Sequence, residues 1–337
     1  MSAAAHLLGN IWFGLIGLIL ALYVVLDGFT LGVGMLSLFS PTDERRGILM
    51  GTLGSVWDAN ETWLVLLGGA LFGAFPAAYA LLLHALYIPI ALMLFGMVLR
   101  ASSFEFREHA RDKRLWNLFF ALASFAIALA QGLALGTVLQ GIPSRNDHFT
   151  GSILGWIAPF PLAVAAGVAA GYGLLGSTYL VLRTDGIIQE RARRASFGLA
   201  AITFLVAAIV TIWTPFIYPA VAAKWFAIPT LYLIAPLPLL ALGAFWILIS
   251  ALRRHREVLP FAATVAIFLT SFAGLAVSLH PYLVPPDLTV FEAAASPLTL
   301  VFMLAGIGLL LPIMMVYNGY QYLVFRGKIT TGSGYSH

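Results

Sequence analysis

The chain has 337 residues, of which 61% are hydrophobic and only 9% charged, and its formal net charge is +4. A soluble domain is typically about 25% charged, so this composition excludes a fold that is surrounded by water. In lipid, backbone polar groups must be satisfied within the chain, which leaves transmembrane helices or a closed barrel. The apolar runs are about 20 residues long and do not alternate with polar residues, which indicates helices.

We predict an all-α, polytopic membrane protein that forms a single integral membrane domain over residues 1–337. Nine spans can be marked in chain order, with the second and third separated only by the Phe75-Pro76 corner: 10–39, 50–74, 76–100, 115–140, 155–183, 195–215, 229–252, 258–280 and 298–325. Spans one to four and five to eight are expected to form two four-helix bundles, with span nine peripheral. The Gly/Ser-rich tail over 329–337 is expected to be mobile.

The basic residues are distributed unevenly between the two sides of this predicted topology. Sixteen of the eighteen Lys and Arg residues follow odd-numbered spans, with Arg100 counted in the loop after span three; only Arg145 and Lys224 lie opposite. Cytoplasmic loops carry the excess of positive charge. The N-terminus is therefore predicted outside and the C-terminus in the cytoplasm. Because topology accounts for these charges, nucleic-acid binding is not expected.

Three carboxylates, Asp27, Asp58 and Glu61, fall inside the predicted spans. At 1.5 Å per residue, Asp27 lies roughly 18 Å from the cytoplasmic end of span one, and the other two roughly 12–17 Å into span two. An ionised carboxylate at this depth costs several kcal/mol and often belongs to a proton relay. The alternative is a structural carboxyl that hydrogen-bonds a kinked helix, and the glycines near Asp27 make it credible.

Spacing groups these acids with polar neighbours. Asp58 and Glu61 share a helical face, as do Asp27 and Thr30, because residues three apart are neighbours on a helix. Three further residues surround the span-two acids with amide and amphipathic groups: Trp57, Asn60 and Trp63. None of the seven histidines is spaced i, i+4 with another, and there is no cysteine, so this chain is expected to bind no haem or metal.

Two strings in the first two spans are distinctive: LDGFTLGVG, from Leu26 to Gly34, and VWDANETWLVLLGGALFGAFP, from Val56 to Pro76. Together they resemble the signature of subunit II of cytochrome bd-type quinol oxidases. The segment LYIPIALMLFGMVLRASSFEFR, from Leu86 to Arg107, is similar to the same family. The NET tripeptide and the FEFR segment look closest to its cyanide-insensitive branch.

The resemblance implies a respiratory complex of the bacterial inner membrane that oxidises membrane quinol and reduces O2 to water. Haems b and d would be held by a partner, subunit I, and a small single-span subunit could join this heterodimer. Subunit II would support subunit I and supply a cytoplasmic proton route. Asp58 matches the family's proton-path aspartate. The family usually has DGFD in span one, whereas this chain has Thr30 in place of the second aspartate.

Two other classes of function remain open from the sequence. A proton-coupled secondary transporter would also place acids at mid-membrane, but it should show interrupted helices in two matching halves. A purely structural scaffold subunit would need the acids only for folding. Substitution of Asp58 separates the scaffold from proton delivery.

Overall fold

The fold is almost entirely helical. A computed structural model describes residues 3–54, 56–145, 148–217, 219–228, 230–324 and 327–329. In chain order the helices are α1 (Ala3–Ser37), α2 (Asp43–Gly51), α3 (Trp57–Ala74), α4 (Pro76–Ala85), α5 (Tyr87–His109), α6 (Arg114–Gln140), α7 (Pro159–Arg183), α8 (Gly186–Ile217), α9 (Pro219–Phe226), α10 (Thr230–Ile234), α11 (Pro236–Arg253), α12 (Val258–Leu279), α13 (Val290–Ala293) and α14 (Pro297–Val324). Two short antiparallel hairpins lie in the connections: β1 (Ser144–Arg145) with β2 (His148–Phe149), and β3 (Tyr282–Val284) with β4 (Leu288–Thr289).

The predicted all-α membrane architecture is confirmed. Within the described residues, eight helical segments are long and apolar enough to cross a membrane: α1, α5, α6, α7, α8, α10 with α11, α12 and α14. The predicted second span is represented by α3, an 18-residue helix with two carboxylates that is not one of the eight. The predicted tail lies outside the described residues after 329.

Helix boundaries differ most from the predicted ones in spans two and three. The stretch predicted as 50–74 contains the end of α2 and a turn, and α3 begins only at Trp57. Gly51 and Gly54 flank this turn, and glycine is a poor helix former. The third segment breaks at Leu86, where α4 ends and α5 begins. Pro89 lacks an N–H, and its ring opposes the carbonyl four residues earlier, which interrupts the helix.

The helix contacts form the two groups expected from the sequence. In the first, α1 packs against α3 and α6, and α6 packs against α5; in the second, α7 contacts α8 and α12, and α12 contacts α11. The groups are joined where α7 packs on α1 and α6, while α14 lies at the edge against α3 and α1. Glycines permit the α1–α7 approach: a Cβ on Gly32 would overlap the backbone of Tyr172.

Candidate functional site

A buried arginine joins the acids of two helices. Arg100, on α5, is 1% exposed, and its Nη1 lies 3.4 Å from Asp27 Oδ1 on α1 and 3.1 Å from Glu61 Oε1 on α3. Its Nη2 donates to Thr30 Oγ1 at 2.7 Å. We call these four residues the charge cluster. A buried charge requires a partner of opposite sign. Asp27 on α1 and Glu61 on α3 are the two such partners of Arg100.

Thr30 orients the two charged groups of the cluster. Its hydroxyl oxygen lies 2.6 Å from Asp27 Oδ1 and 2.8 Å from the Asp27 carbonyl oxygen, one helical turn earlier. Because the same oxygen accepts a hydrogen bond from Arg100, its own hydrogen is left for Asp27. Thr30 therefore holds the carboxylate and the guanidinium in register.

The cluster contains one permanent cation and two carboxyl groups. Arginine stays protonated in proteins, so two ionised carboxylates would leave a net negative charge in a buried site. Binding one proton on Asp27 or Glu61 makes the cluster neutral. Asp27 is fully buried, whereas the Glu61 side chain is 22% exposed. Glu61 is thus the more accessible of the two carboxyl groups.

A chain of hydrogen bonds lies beside the cluster and leads toward the second bundle. Tyr172 OH donates to Gln131 Oε1 at 2.6 Å, and Gln131 Nε2 donates to Tyr23 OH at 2.6 Å. Tyr23 precedes Asp27 by one turn of α1. Asp27 Oδ2 has no hydrogen-bond partner among the described residues.

The predicted supporting residues lie beside the cluster. Asn60 is buried, donates from Nδ2 to the Leu26 carbonyl at 2.8 Å, and accepts from Tyr322 OH at 3.0 Å. It therefore ties α3 to α1 and α14. Trp63 is buried on the same helix, and Trp57 packs its ring 5.4 Å from that of Phe104. These three residues fix the position of α3 next to Arg100.

Asp58 is placed differently from the other acids. It lies in the first turn of α3, and it is exposed. The structure therefore brings Asp27, Thr30 and Glu61 together but leaves Asp58 outside the charge cluster. Its exposed face continues along α3 through four further residues at helical spacing: Thr62, Val65, Gly69 and Phe72.

The interpretation of Arg100 as a cytoplasmic loop residue is wrong. Helix α5 continues to His109, so Arg100 lies inside a membrane-length helix and binds the acids. The signal in the sequence was the pair of buried carboxylates itself, because such groups need a cation. The chain of Tyr23, Gln131 and Tyr172 was also missed, since no local spacing connects residues on three helices.

These features define a polytopic helical membrane protein with a buried charge cluster between α1, α3 and α5. The family described as cytochrome bd terminal oxidase subunit II matches residues 8–325, and the chain belongs to this family. It is 29% identical over 368 residues to cytochrome bd-I ubiquinol oxidase subunit 2 of Escherichia coli K12, covering 95% of this chain and 94% of the relative. It is 27% identical to cytochrome bd ubiquinol oxidase subunit 2 of Bacillus subtilis, covering 96% and 97%.

A solved structure shares the fold. The structure of bd oxidase from Geobacillus thermodenitrificans contains a chain that superposes with a TM-score of 0.79 at 20% identity. The match covers 94% of this chain and 99% of that one. The similarity therefore extends over both helix groups rather than over one bundle.

Proposed function

We propose that this chain is subunit II of a quinol:O2 oxidoreductase in the bacterial cytoplasmic membrane, where it supports a haem-bearing subunit I and supplies it with protons. Family membership and the names of its relatives, which are subunits of ubiquinol oxidases, support the assignment. The observation that carries the proton role is the charge cluster, because two carboxyls around one guanidinium can bind and release a proton without a change in fold.

The proposed route begins at Asp58. The N-terminal turn of a helix favours a carboxylate, and a charged group on a membrane helix does not face lipid. Asp58 therefore meets water or a partner protein. Glu61 follows one turn later on α3, and Arg100 joins it to Asp27. The route proposed is Asp58 to Glu61 to Asp27, linked by water, with the Thr30 hydroxyl as a relay.

Glu61 also gives a physical reason why this chain has Thr30 in α1, where the family's DGFD sequence has its second aspartate. A second aspartate at position 30 would place its carboxylate against Arg100, where Thr30 Oγ1 now accepts a hydrogen bond. Here Glu61 supplies the second carboxylate from α3 instead. Together with the NET and FEFR segments, this feature is our reason to propose membership of the cyanide-insensitive branch. Cyanide titration of oxygen consumption by the purified complex tests that proposal.

The outer face of α3 is the proposed contact with subunit I. Along this face the exposed residues are first polar, at Asp58 and Thr62, and then small or apolar, at Val65, Gly69 and Phe72. A face that combines polar and small residues suits a protein neighbour better than lipid. The N-terminus is proposed outside and the C-terminus in the cytoplasm. Haems b and d are proposed to belong to subunit I, and a small single-span subunit could join the pair.

The surroundings of His84 and His280 agree with the proposal that the haems belong to subunit I. His84, on α4, is exposed and packs 5.6 Å from the Phe149 ring. His280 ends α12 and hydrogen-bonds to Asn10 Oδ1. Such surroundings do not fit a bis-histidine haem.

Substitution of Asp58 in the assembled complex tests the proton route. Asp58→Asn keeps the size but removes the titratable proton, whereas Asp58→Glu retains it. Asn should lower turnover by about a hundredfold, the lower end of the range for positioned proton-transfer groups, while Glu should keep part of the activity. Thr62→Val, one turn along the same exposed face, is the control for damage to the interface.

The spectrum of the haems shows whether each variant is assembled. Full turnover in an assembled Asp58→Asn complex would remove Asp58 from the route. Loss of assembly in both Asp58 variants would favour the scaffold subunit, for which the pairing of Arg100 with two acids is the supporting observation. Activity as a stand-alone proton-coupled transporter, without a haem-bearing partner, would overturn the oxidase assignment.

A further inference from the structure

A cleft of about 680 Å³ opens where α11 ends and α12 begins. One part of its wall is apolar, formed by Trp246, Ile247 and Leu259, and another part carries Arg254 and Arg256. The cleft belongs to the second helix group and shares no residue with the charge cluster. The cleft is therefore amphipathic, because it has both an apolar wall and two guanidinium groups.

The turn after α11 places both arginines at this cleft. His255 adopts a left-handed conformation with φ 52°, its N–H donates to the Leu252 carbonyl, and the Arg256 N–H donates to the Ala251 carbonyl at 3.0 Å. This is the Schellman arrangement, in which glycine usually occupies the left-handed position. Here a histidine stands there and contributes to the cleft wall. Arg193 Nη1 donates to the Leu252 and Arg256 carbonyls and holds the turn in place.

The two arginines are not neutralised by the protein. Both are exposed, and neither forms an ion pair within the described part of the chain. The acid in the wall, Glu257, is already engaged by Lys328 Nζ at 2.7 Å and by Gln189 Nε2 at 2.9 Å. The hydrogen bond from Lys328 has the largest effect and that from Gln189 the next largest, and both lower the pKa of Glu257. Glu257 is therefore a carboxylate that is already paired.

The cleft lies at the end of a helical segment of membrane length, Thr230–Arg253. Trp246 is 70% exposed and precedes Arg254 by eight residues, roughly 12 Å along the helix axis. Tryptophan favours the membrane interface, and guanidinium groups bind phosphate through paired hydrogen bonds. We propose that this cleft binds an anionic phospholipid, with its phosphate on Arg254 and Arg256 and an acyl chain along Trp246 and Leu259.

The neighbouring arginine separates a lipid site from a general attraction to the membrane. Arg253 is exposed at the same helix end, one residue from Arg254, but it does not line the cleft. A basic helix end attracts anionic lipid through its total charge, whatever the position of each arginine. A site requires Arg254 and Arg256 in particular.

Lipid binding to the purified, delipidated complex can be measured by native mass spectrometry with phosphatidylglycerol and, separately, phosphatidylcholine. Arg254→Gln and Arg256→Gln should each weaken phosphatidylglycerol binding about fivefold, and the double variant about 25-fold, from the typical contribution of one basic residue near a membrane surface. Arg253→Gln should change it less than twofold. Phosphatidylcholine binding should stay the same in all variants.

Three results would overturn the proposal. An Arg253→Gln effect equal to that of Arg254→Gln would reduce the cleft to part of a general basic surface. Unchanged phosphatidylglycerol binding in the double variant would place the lipid elsewhere. Displacement of phosphatidylglycerol by millimolar inorganic phosphate would identify free phosphate as the occupant. In contrast, quenching of Trp246 fluorescence by brominated phosphatidylglycerol, measured against Trp246→Phe and lost in the double variant, would support the proposed position of the acyl chain.

Discussion

Removal of Arg100 should expose the energetic coupling within the charge cluster. Arg100→Met keeps a long apolar side chain but leaves Asp27 and Glu61 without their cation. Breaking a buried ion pair by removal of one partner costs about 3–5 kcal/mol. Asp27 is fully buried and should account for most of this loss, whereas Glu61 is partly exposed and its share is screened. We therefore expect Arg100→Met to lower the free energy of unfolding by about 3–4 kcal/mol, the lower half of that range.

The triple variant Asp27→Asn, Glu61→Gln, Arg100→Met tests the same reasoning from the opposite direction. Replacing all members of a buried charged group by neutral residues is often close to neutral, so stability should return to within about 2 kcal/mol of wild type. Turnover should stay low, because no carboxyl group remains in the charge cluster to take the proton from Asp58. Recovery of stability without recovery of activity would separate the structural role of the cluster from its proposed role in proton transfer.

Unfolding of the assembled complex in mixed detergent micelles with increasing SDS, followed by tryptophan fluorescence, measures these free energies. Oxygen consumption measures turnover in parallel. Arg194→Met is the control, since Arg194 is 78% exposed in its pair with Glu190 and should change stability by less than about 1 kcal/mol. The coupling would be refuted if Arg100→Met unfolded within about 1 kcal/mol of wild type, or if the triple variant were as unstable as Arg100→Met.

Three further predictions concern packing, the hydrogen-bonded chain and topology. Gly32→Ala should destabilise the α1–α7 contact by about 1–3 kcal/mol through overpacking, whereas Gly14→Ala, which has open space around it, should be neutral or stabilising in the same SDS titration. Tyr23→Phe removes the hydroxyl that accepts a hydrogen bond from Gln131 one turn before Asp27; it should lower turnover and alter its pH profile with the haems intact, and an unchanged profile would exclude Tyr23 from the route. Arg111→Cys should react with an impermeant thiol reagent only in inverted vesicles, and labelling from outside intact cells would reverse the proposed orientation.

The family, the helical class and the contact of Asp27 with Thr30 could be predicted from the sequence. Apolar runs of membrane length specify helices because lipid offers no hydrogen bonds to the backbone. The i, i+3 spacing of Asp27 and Thr30 predicted correctly that their side chains meet, since this contact lies within one helix. No repeat in the sequence marks the two expected bundles; the packing of α14 at the edge agrees with a peripheral ninth span.

The composition of the site was decided by tertiary packing. Arg100 lies 73 residues from Asp27 and 39 from Glu61 along the chain, so no local pattern joins them. Positive charge near a span end usually marks a loop, and only the extension of α5 to His109 places this guanidinium between α1 and α3. The late start of α3 likewise places Asp58 in the first turn of that helix, where it is exposed. Hydropathy determines which segments enter the membrane, whereas the partner of a buried charge depends on how the helices pack against one another.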